Sequence, residues 1–358
     1  MSLSTRVKQR LLYATLVCSI VLTACGSLGP KTLDKDQLDY GDSIGNNWKN
    51  QMLANIVKLR YVDMPVFVDV GSIVSGYTLE TQVSGRLGWG DSLTGGDSQG
   101  LGAGGRYTDR PTITYMPKTG DDYLRSLLEP VEPRNLLALV QAGYNAELLF
   151  TWAVEAINGV HNYSVMAGQI KQADPEFTEF TGLLRELQIA GAVGFEIDTD
   201  PNTKEDIIFV MRKLGLPDSV LEKNRRVGEI ISLTPERDRF RVIYAPFQTD
   251  EATLSMQTRS VLQTLLVMSG FVEVPEEKSS HAAPGFELGG SAARPFRVYS
   301  GKEKPEDSFS AIQYQGYWYW IENSDINSKA VFSLMLFLTT LTNRASGDRG
   351  PVLTIPTG

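Results

Sequence analysis

The chain has 358 residues, a formal net charge of −8 and two cysteines. A chain of this length can bury one large core or two medium ones without disulfide support. Because phosphate contacts need clustered Lys and Arg residues, an acidic chain without a basic stripe is a poor partner for nucleic acid. We therefore predict one or two globular domains and no nucleic-acid partner.

Residues 1–24 have the pattern of a secretory signal peptide. The first ten residues contain Arg6, Lys8 and Arg10 but no acid, and an apolar run continues to Ala24. Since a helix needs roughly 20 apolar residues to cross a bilayer, this run of about fourteen is too short for a stable span. A basic start, a short apolar middle and small residues before a cut site are typical of a cleaved signal.

The end of this run, Leu22-Thr23-Ala24-Cys25, resembles the lipobox of bacterial lipoproteins. In that family the cysteine sulfur receives a diacylglyceryl group, cleavage occurs just before the cysteine, and the new amine is usually acylated with a chain such as palmitate. The resemblance implies that Cys25 is the lipidated first residue of the mature chain, held to a membrane by its acyl chains. Because Gly26 rather than Asp follows, it also implies the outer membrane. We expect the protein to face the periplasm, although the sequence does not distinguish this from a surface-facing orientation. The alternative is an ordinary signal peptide with an accidental cysteine.

Cleavage before Cys25 leaves no free thiol in the mature chain, because Cys18 lies in the signal. A cysteine nucleophile, a thiolate zinc site and an iron–sulfur cluster are then excluded, and we predict no cofactor. Loss of the three basic residues of the signal lowers the net charge from −8 to −11. This charge disfavours general adhesion to anionic lipid, so we expect the acyl chains to be the membrane contact.

Residues 25–43 are small and polar, and they predict a lipidated tether. Residues 44–160 predict a helix, a long β-hairpin and a helical region. Ser43 can cap the first helix, which has apolar residues at three- and four-residue spacing up to about Tyr61. Alternating β-branched residues then favour a strand, and a glycine-rich stretch at 90–108 predicts the hairpin tip.

The order of predicted helices and strands along the rest of the chain predicts an α+β or mixed α/β fold. Helices are expected from near Pro133 to Gly159, with a break near Gly143, and Asp325 or Asn327 is expected to cap the last apolar helix. Residues 161–274 predict an α/β region, residues 275–295 a flexible loop, and residues 296–358 a strand-helix-strand region packed on the preceding one. Within 161–274 we expect two strands around Thr234-Pro235-Glu236 and a helix over 250–270.

Motifs that carry chemistry are scarce. The two histidines, His161 and His281, have no HExxH or carboxylate cluster around them, so a metal site is poorly supported. The sequence also lacks the GxSxG serine elbow and the GxxxxGK[ST] phosphate loop. GLGAGG at 100–105 loosely matches a dinucleotide fingerprint, but a strand follows it instead of a helix. We therefore predict no catalytic residue and no metal site.

An aromatic cluster near the C-terminus is the most unusual later feature. If Tyr317, Trp318, Tyr319 and Trp320 form a strand, the tyrosines face one way and the tryptophans the other. One row could then enter the core while the other contacts a partner or a sugar. These four residues are the candidate partner- or ligand-binding site, and ordinary core packing is the competing interpretation.

Residues 55–80, 319–341 and 351–358 resemble a group of uncharacterised Gram-negative envelope lipoproteins. The resemblance implies a compact anchored domain but no reaction. Our first hypothesis is therefore a non-enzymatic binding or scaffold component of an envelope protein assembly. The alternative is a periplasmic hydrolase of cell-wall or glycan substrates, with paired Asp or Glu residues beside the aromatic strand.

Overall fold

The structure is a computed structural model that describes residues 29–74, 77–88, 98–109, 112–166, 169–198, 206–286 and 295–342. The predicted signal, Cys25 and the predicted terminal strand at 351–358 lie outside these residues and stay predictions. Contacts divide the chain into two compact units, Met1–Lys49 and Asn50–Gly358. The predicted mixed α/β class is confirmed.

The described helices and strands, in chain order, are as follows. The helices are α1 (Gly29–Arg60), α2 (Asp121–Leu128), α3 (Pro133–Gln141), α4 (Ala146–Ala153), α5 (Pro175–Ile189), α6 (Asp218–Ile230), α7 (Val261–Ser269) and α8 (Ile326–Thr342), with a 3₁₀-helix at Glu276–His281. The strands are β1 (Val68–Val74), β2 (Tyr77–Gly88), β3 (Ser98–Asp109), β4 (Thr112–Pro117), β5 (Val154–Ile157), β6 (Val160–His161), β7 (Ser164–Met166), β8 (Gln169–Lys171), β9 (Val193–Asp198), β10 (Asp206–Met211), β11 (Arg239–Ile243), β12 (Thr253–Thr258), β13 (Tyr299–Gly301), β14 (Ser308–Tyr314) and β15 (Tyr317–Glu322).

The first four strands form the predicted hairpin, here called the ribbon. Strand β1 pairs antiparallel with β4, and β2 pairs antiparallel with β3. The sequence analysis placed the glycine-rich tip at 90–108, but residues 98–109 are strand β3. A strand needs a backbone partner rather than particular side chains, and β2 supplies that partner along the whole of β3. The dinucleotide-like glycines at 100–105 are part of this strand.

A six-stranded mixed sheet lies at the centre of the larger unit. Its strand order is β6-β5-β12-β11-β10-β9, in which β11 and β12 are parallel and the other described neighbours are antiparallel. The buried apolar side chains of this sheet and of its helices form one continuous cluster. The chain therefore builds the single large core that its length permits.

Three local predictions were wrong. The helix predicted to reach Gly159 ends at Ala153, and residues 154–157 are a strand. Residues 253–258 are strand β12 instead of helix, and the first strand predicted around Pro235 is the end of α6. Residues 154–157 and 253–258 are buried almost throughout and show no clear periodicity, so sheet pairing decides their conformation. The predicted break is confirmed, since Gly143 adopts a φ of +93° between α3 and α4.

Residues 25–43 and 275–295 also contain structure that the sequence analysis did not predict. Helix α1 begins at Gly29, inside the predicted tether, instead of near Ile44. Part of the predicted loop is the 3₁₀-helix that starts after Pro275. Both segments are polar, and the sequence analysis used their composition as the argument for irregular structure.

A capping box fixes the start of α7. The Ser260 hydroxyl accepts a hydrogen bond from the Gln263 amide (3.2 Å), and the Gln263 side chain accepts one from the Ser260 amide (2.8 Å). We expect Ser260→Ala to lower the free energy of unfolding by about 1 kcal/mol, because an amide of the first turn loses its partner. Thermal unfolding followed by circular dichroism measures the change. The control is the exposed Ser280→Ala, for which a change within about 0.5 kcal/mol is expected.

Candidate binding surface

The predicted aromatic strand is β15, the central strand of the three-stranded sheet β13-β15-β14. Burial alternates along it, so Tyr317 is 7% and Tyr319 0% exposed, whereas Trp318 and Trp320 are half-buried. The Tyr319 hydroxyl lies 2.5 Å from that of Tyr61, and burial together with this hydrogen bond raises the pKa of Tyr319. The two tyrosines therefore belong to the core, and only the tryptophans remain placed to contact a partner.

The opposite face of the sheet, here called the aromatic face, carries Trp318, Trp320 and Tyr299. The Tyr299 and Trp320 rings stack with centroids 5.8 Å apart, because these residues are direct neighbours on β13 and β15. Lys304 Nζ lies 5.5 Å from the centre of the Trp318 ring, and the Arg297 guanidinium lies 4.0 Å from that of Tyr299. Trp, Tyr and Arg are the residues most enriched at the energetic centres of protein interfaces.

The carboxylates beside this sheet are held by hydrogen-bond donors. Glu277 accepts from the Tyr317 hydroxyl and pairs with Lys302 Nζ at 3.0 Å. Glu322 accepts from Trp320 Nε1 at 2.9 Å. The Tyr317 and Lys302 hydrogen bonds lower the pKa of Glu277. A glycosidase acid needs a raised pKa instead, so Glu277 does not have the property expected of that acid.

The ribbon exposes a second surface that the sequence analysis did not identify. Every residue of β4 is exposed, and its apolar side chains include Ile113 (41%), Tyr115 (56%) and Met116 (38%). Within the described part of the chain, β4 pairs only with β1. Alternating apolar residues usually predict one buried face, but every residue of this strand is exposed.

Neither histidine belongs to the aromatic face or to β4. His161 Nδ1 is 3.5 Å from the Asp174 carboxylate and the side chain is about half exposed, while His281 ends the 3₁₀-helix. Among the described residues, no group of three or more His, Cys, Asp or Glu side chains could hold a metal ion. Nor does any described helix combine the length and the apolar character needed to cross a membrane.

Comparisons with known protein families, with curated proteins and with solved structures find no match to this chain. The resemblances to the lipobox and to the envelope lipoproteins therefore stay predictions. The surfaces described above are the observations on which a function can be argued.

Proposed function

We propose that this chain is a lipid-anchored outer-membrane protein that faces the periplasm and acts as a non-enzymatic binding or scaffold component of an envelope protein assembly. The lipobox at Cys25 supports the location. The single observation that supports the mode of action is the geometry of the ribbon. Its described strands form two separate pairs, β1 with β4 and β2 with β3, and every residue of β4 is exposed.

An isolated two-stranded ribbon is only marginally stable in water. An exposed strand edge offers backbone donors and acceptors to another chain, and exposed apolar side chains add affinity. A partner strand or surface laid along β4 would bury Ile113 and Tyr115, which water now contacts. The aromatic face offers a second contact, with the tryptophans as its anchors.

Photocrosslinking in intact cells tests the ribbon. We expect a photoreactive phenylalanine analogue in place of Tyr115 to capture one defined envelope protein, identified through the crosslinked peptide by mass spectrometry. The matched control is Tyr244, which is 54% exposed against 56% for Tyr115 but lies outside the ribbon. The same substitution at Trp318 tests the aromatic face. A yield at Tyr115 no greater than at Tyr244 would contradict the proposal.

A further inference from the structure

An apolar groove of about 520 Å³ lies between the end of α1, α2 and α7. Leu59, Leu127 and Leu266 contribute to its walls. Its rim leaves large apolar side chains in water, since Val62 is 79% and Met64 70% exposed. This volume is within the range of small-molecule sites, and side chains of this kind favour an apolar ligand.

The groove offers few hydrogen bonds to a ligand. Of the polar residues that line it, Asp63 accepts from the Met64 amide (2.8 Å) and the Tyr314 hydroxyl (2.9 Å), and Ser269 donates to the Leu266 carbonyl (2.7 Å). A peptide would bury backbone groups without enough partners, which is unfavourable. A hydrocarbon chain needs no such partners, so the lining favours an acyl chain over a peptide.

A half-buried guanidinium with two unpartnered nitrogens lies next to the groove. Nε and Nη1 of Arg60 are buried and have no hydrogen-bond partner among the described residues. The Arg60 carbonyl accepts from the Ala283 amide (2.8 Å), and Gly285 lies so close to the guanidinium that a Cβ there would collide with it. Ala283 and Pro284 line the groove. Burial lowers the pKa of Arg60, but arginine stays protonated in proteins, so two donors of a half-buried cation are left for an anion.

A second unpaired donor belongs to the groove itself. The Tyr123 hydroxyl is buried and has no hydrogen-bond partner in the part of the chain that the structure describes. Burial raises the pKa of Tyr123 to about 12, so the hydroxyl keeps its proton at neutral pH. An apolar groove with an unpaired guanidinium and an unpaired hydroxyl beside it matches a hydrocarbon chain with one acidic head group.

We propose that this groove binds the hydrocarbon chain of a long-chain fatty acid and that Arg60 receives its carboxylate. Gly285 lies against the guanidinium and would have to move to admit the head group. The acyl groups expected on Cys25 are linked as esters and an amide and carry no charge, so they supply no anion for the Arg60 guanidinium. This inference goes beyond the proposed function and does not depend on lipidation.

The test uses the full-length chain in lipid nanodiscs, labelled with diazirine-bearing palmitic acid or with the matching alcohol. We expect both probes to label peptides of α2 and α7, and the acid to bind about tenfold more tightly than the alcohol. Arg60→Met should abolish the preference for the acid and leave labelling by the alcohol unchanged. The thermal midpoint should not fall, because a neutral side chain replaces an unpaired charge. Arg60→Lys should keep part of the preference.

Two further variants test the groove itself. Leu266→Trp fills the groove and should abolish labelling by both probes, whereas Leu214→Trp, at a side chain that is 84% exposed and does not line the groove, should not. Equal binding of acid and alcohol to the unmodified chain would overturn the role of Arg60. Labels outside α2 and α7, or labels that survive Leu266→Trp, would overturn the site. Labelling that occurs only in Cys25→Ser would show that the groove holds the chain's own acyl group and would overturn the fatty-acid assignment.

Discussion

Replacing Arg259 by methionine is expected to lower the free energy of unfolding by about 3 kcal/mol. Arg259 follows β12 at the centre of the main sheet and is only 1% exposed. Its Nη1 donates to the carbonyls of Thr151 and Trp152, both at 3.0 Å, and its Nη2 donates to the carbonyl of Tyr163. Methionine fills much of the same volume but leaves these carbonyls without their donor, and buried polar groups without partners are costly.

The charge of Arg259 persists at neutral pH although the site is buried. Desolvation lowers the pKa of Arg259 to about 10, and nearby Glu155 opposes the shift. The guanidinium therefore remains a strong donor that ties the end of α4 and the segment after β6 to the strand. Because the helix that ends here was predicted to continue to Gly159, Arg259 marks a tertiary contact that the sequence pattern did not reveal.

The control for this prediction is Arg241→Met on the neighbouring strand β11. Arg241 Nη1 is 3.8 Å from the Asp206 carboxylate, and its side chain is 52% exposed. Exposed ion pairs of this kind contribute about 0.5 kcal/mol, so little change is expected. Chemical unfolding of the full chain in mild detergent, followed by circular dichroism, measures both variants. Equal losses would contradict the role assigned to Arg259.

Replacing Cys25 by serine is expected to move the protein from the membrane fraction to the soluble fraction. Each methylene buried in a bilayer contributes about 0.8 kcal/mol, so loss of two or three acyl chains removes the main attachment. The acidic mature chain supplies no basic patch to replace it. Ultracentrifugation of cell lysates with detection of the chain in each fraction measures the shift.

The matched control is Cys18→Ser, which removes the other cysteine. Cys18 lies inside the predicted signal and has no role in the lipobox, so this variant should remain in the membrane fraction. Release of both variants, or retention of both, would contradict lipidation at Cys25.

Glycine, proline and helix-capping residues predicted the ends of helices most dependably. Gly143 and Pro133 bound helices where the sequence analysis expected them, because a positive φ and a missing amide act locally. Asp325, one of the two caps predicted for the last helix, accepts from the Ser328 amide at 2.9 Å. In contrast, Leu254 and Met256 are buried in a strand whose conformation depends on β5 and β11, and no local rule identifies those neighbours.

The candidate surfaces were predictable to different degrees. The alternation of Tyr and Trp along β15 follows from the geometry of a strand, so the division into a core row and an outer row could be predicted. The exposure of β4 could not be predicted, because a strand with one buried face shows the same alternation of apolar residues. The groove brings together residues near positions 60, 125, 265 and 284, and such a juxtaposition exists only after folding.

The mass of the purified mature chain tests the central claim of a lipid anchor most directly. The account predicts an N-terminal peptide that begins at Cys25 and carries a diacylglyceryl group on sulfur together with an acyl group on the amine. A mature chain with an unmodified thiol at Cys25, or one that begins at another residue, would contradict the anchor and with it the proposed place of this protein in the envelope.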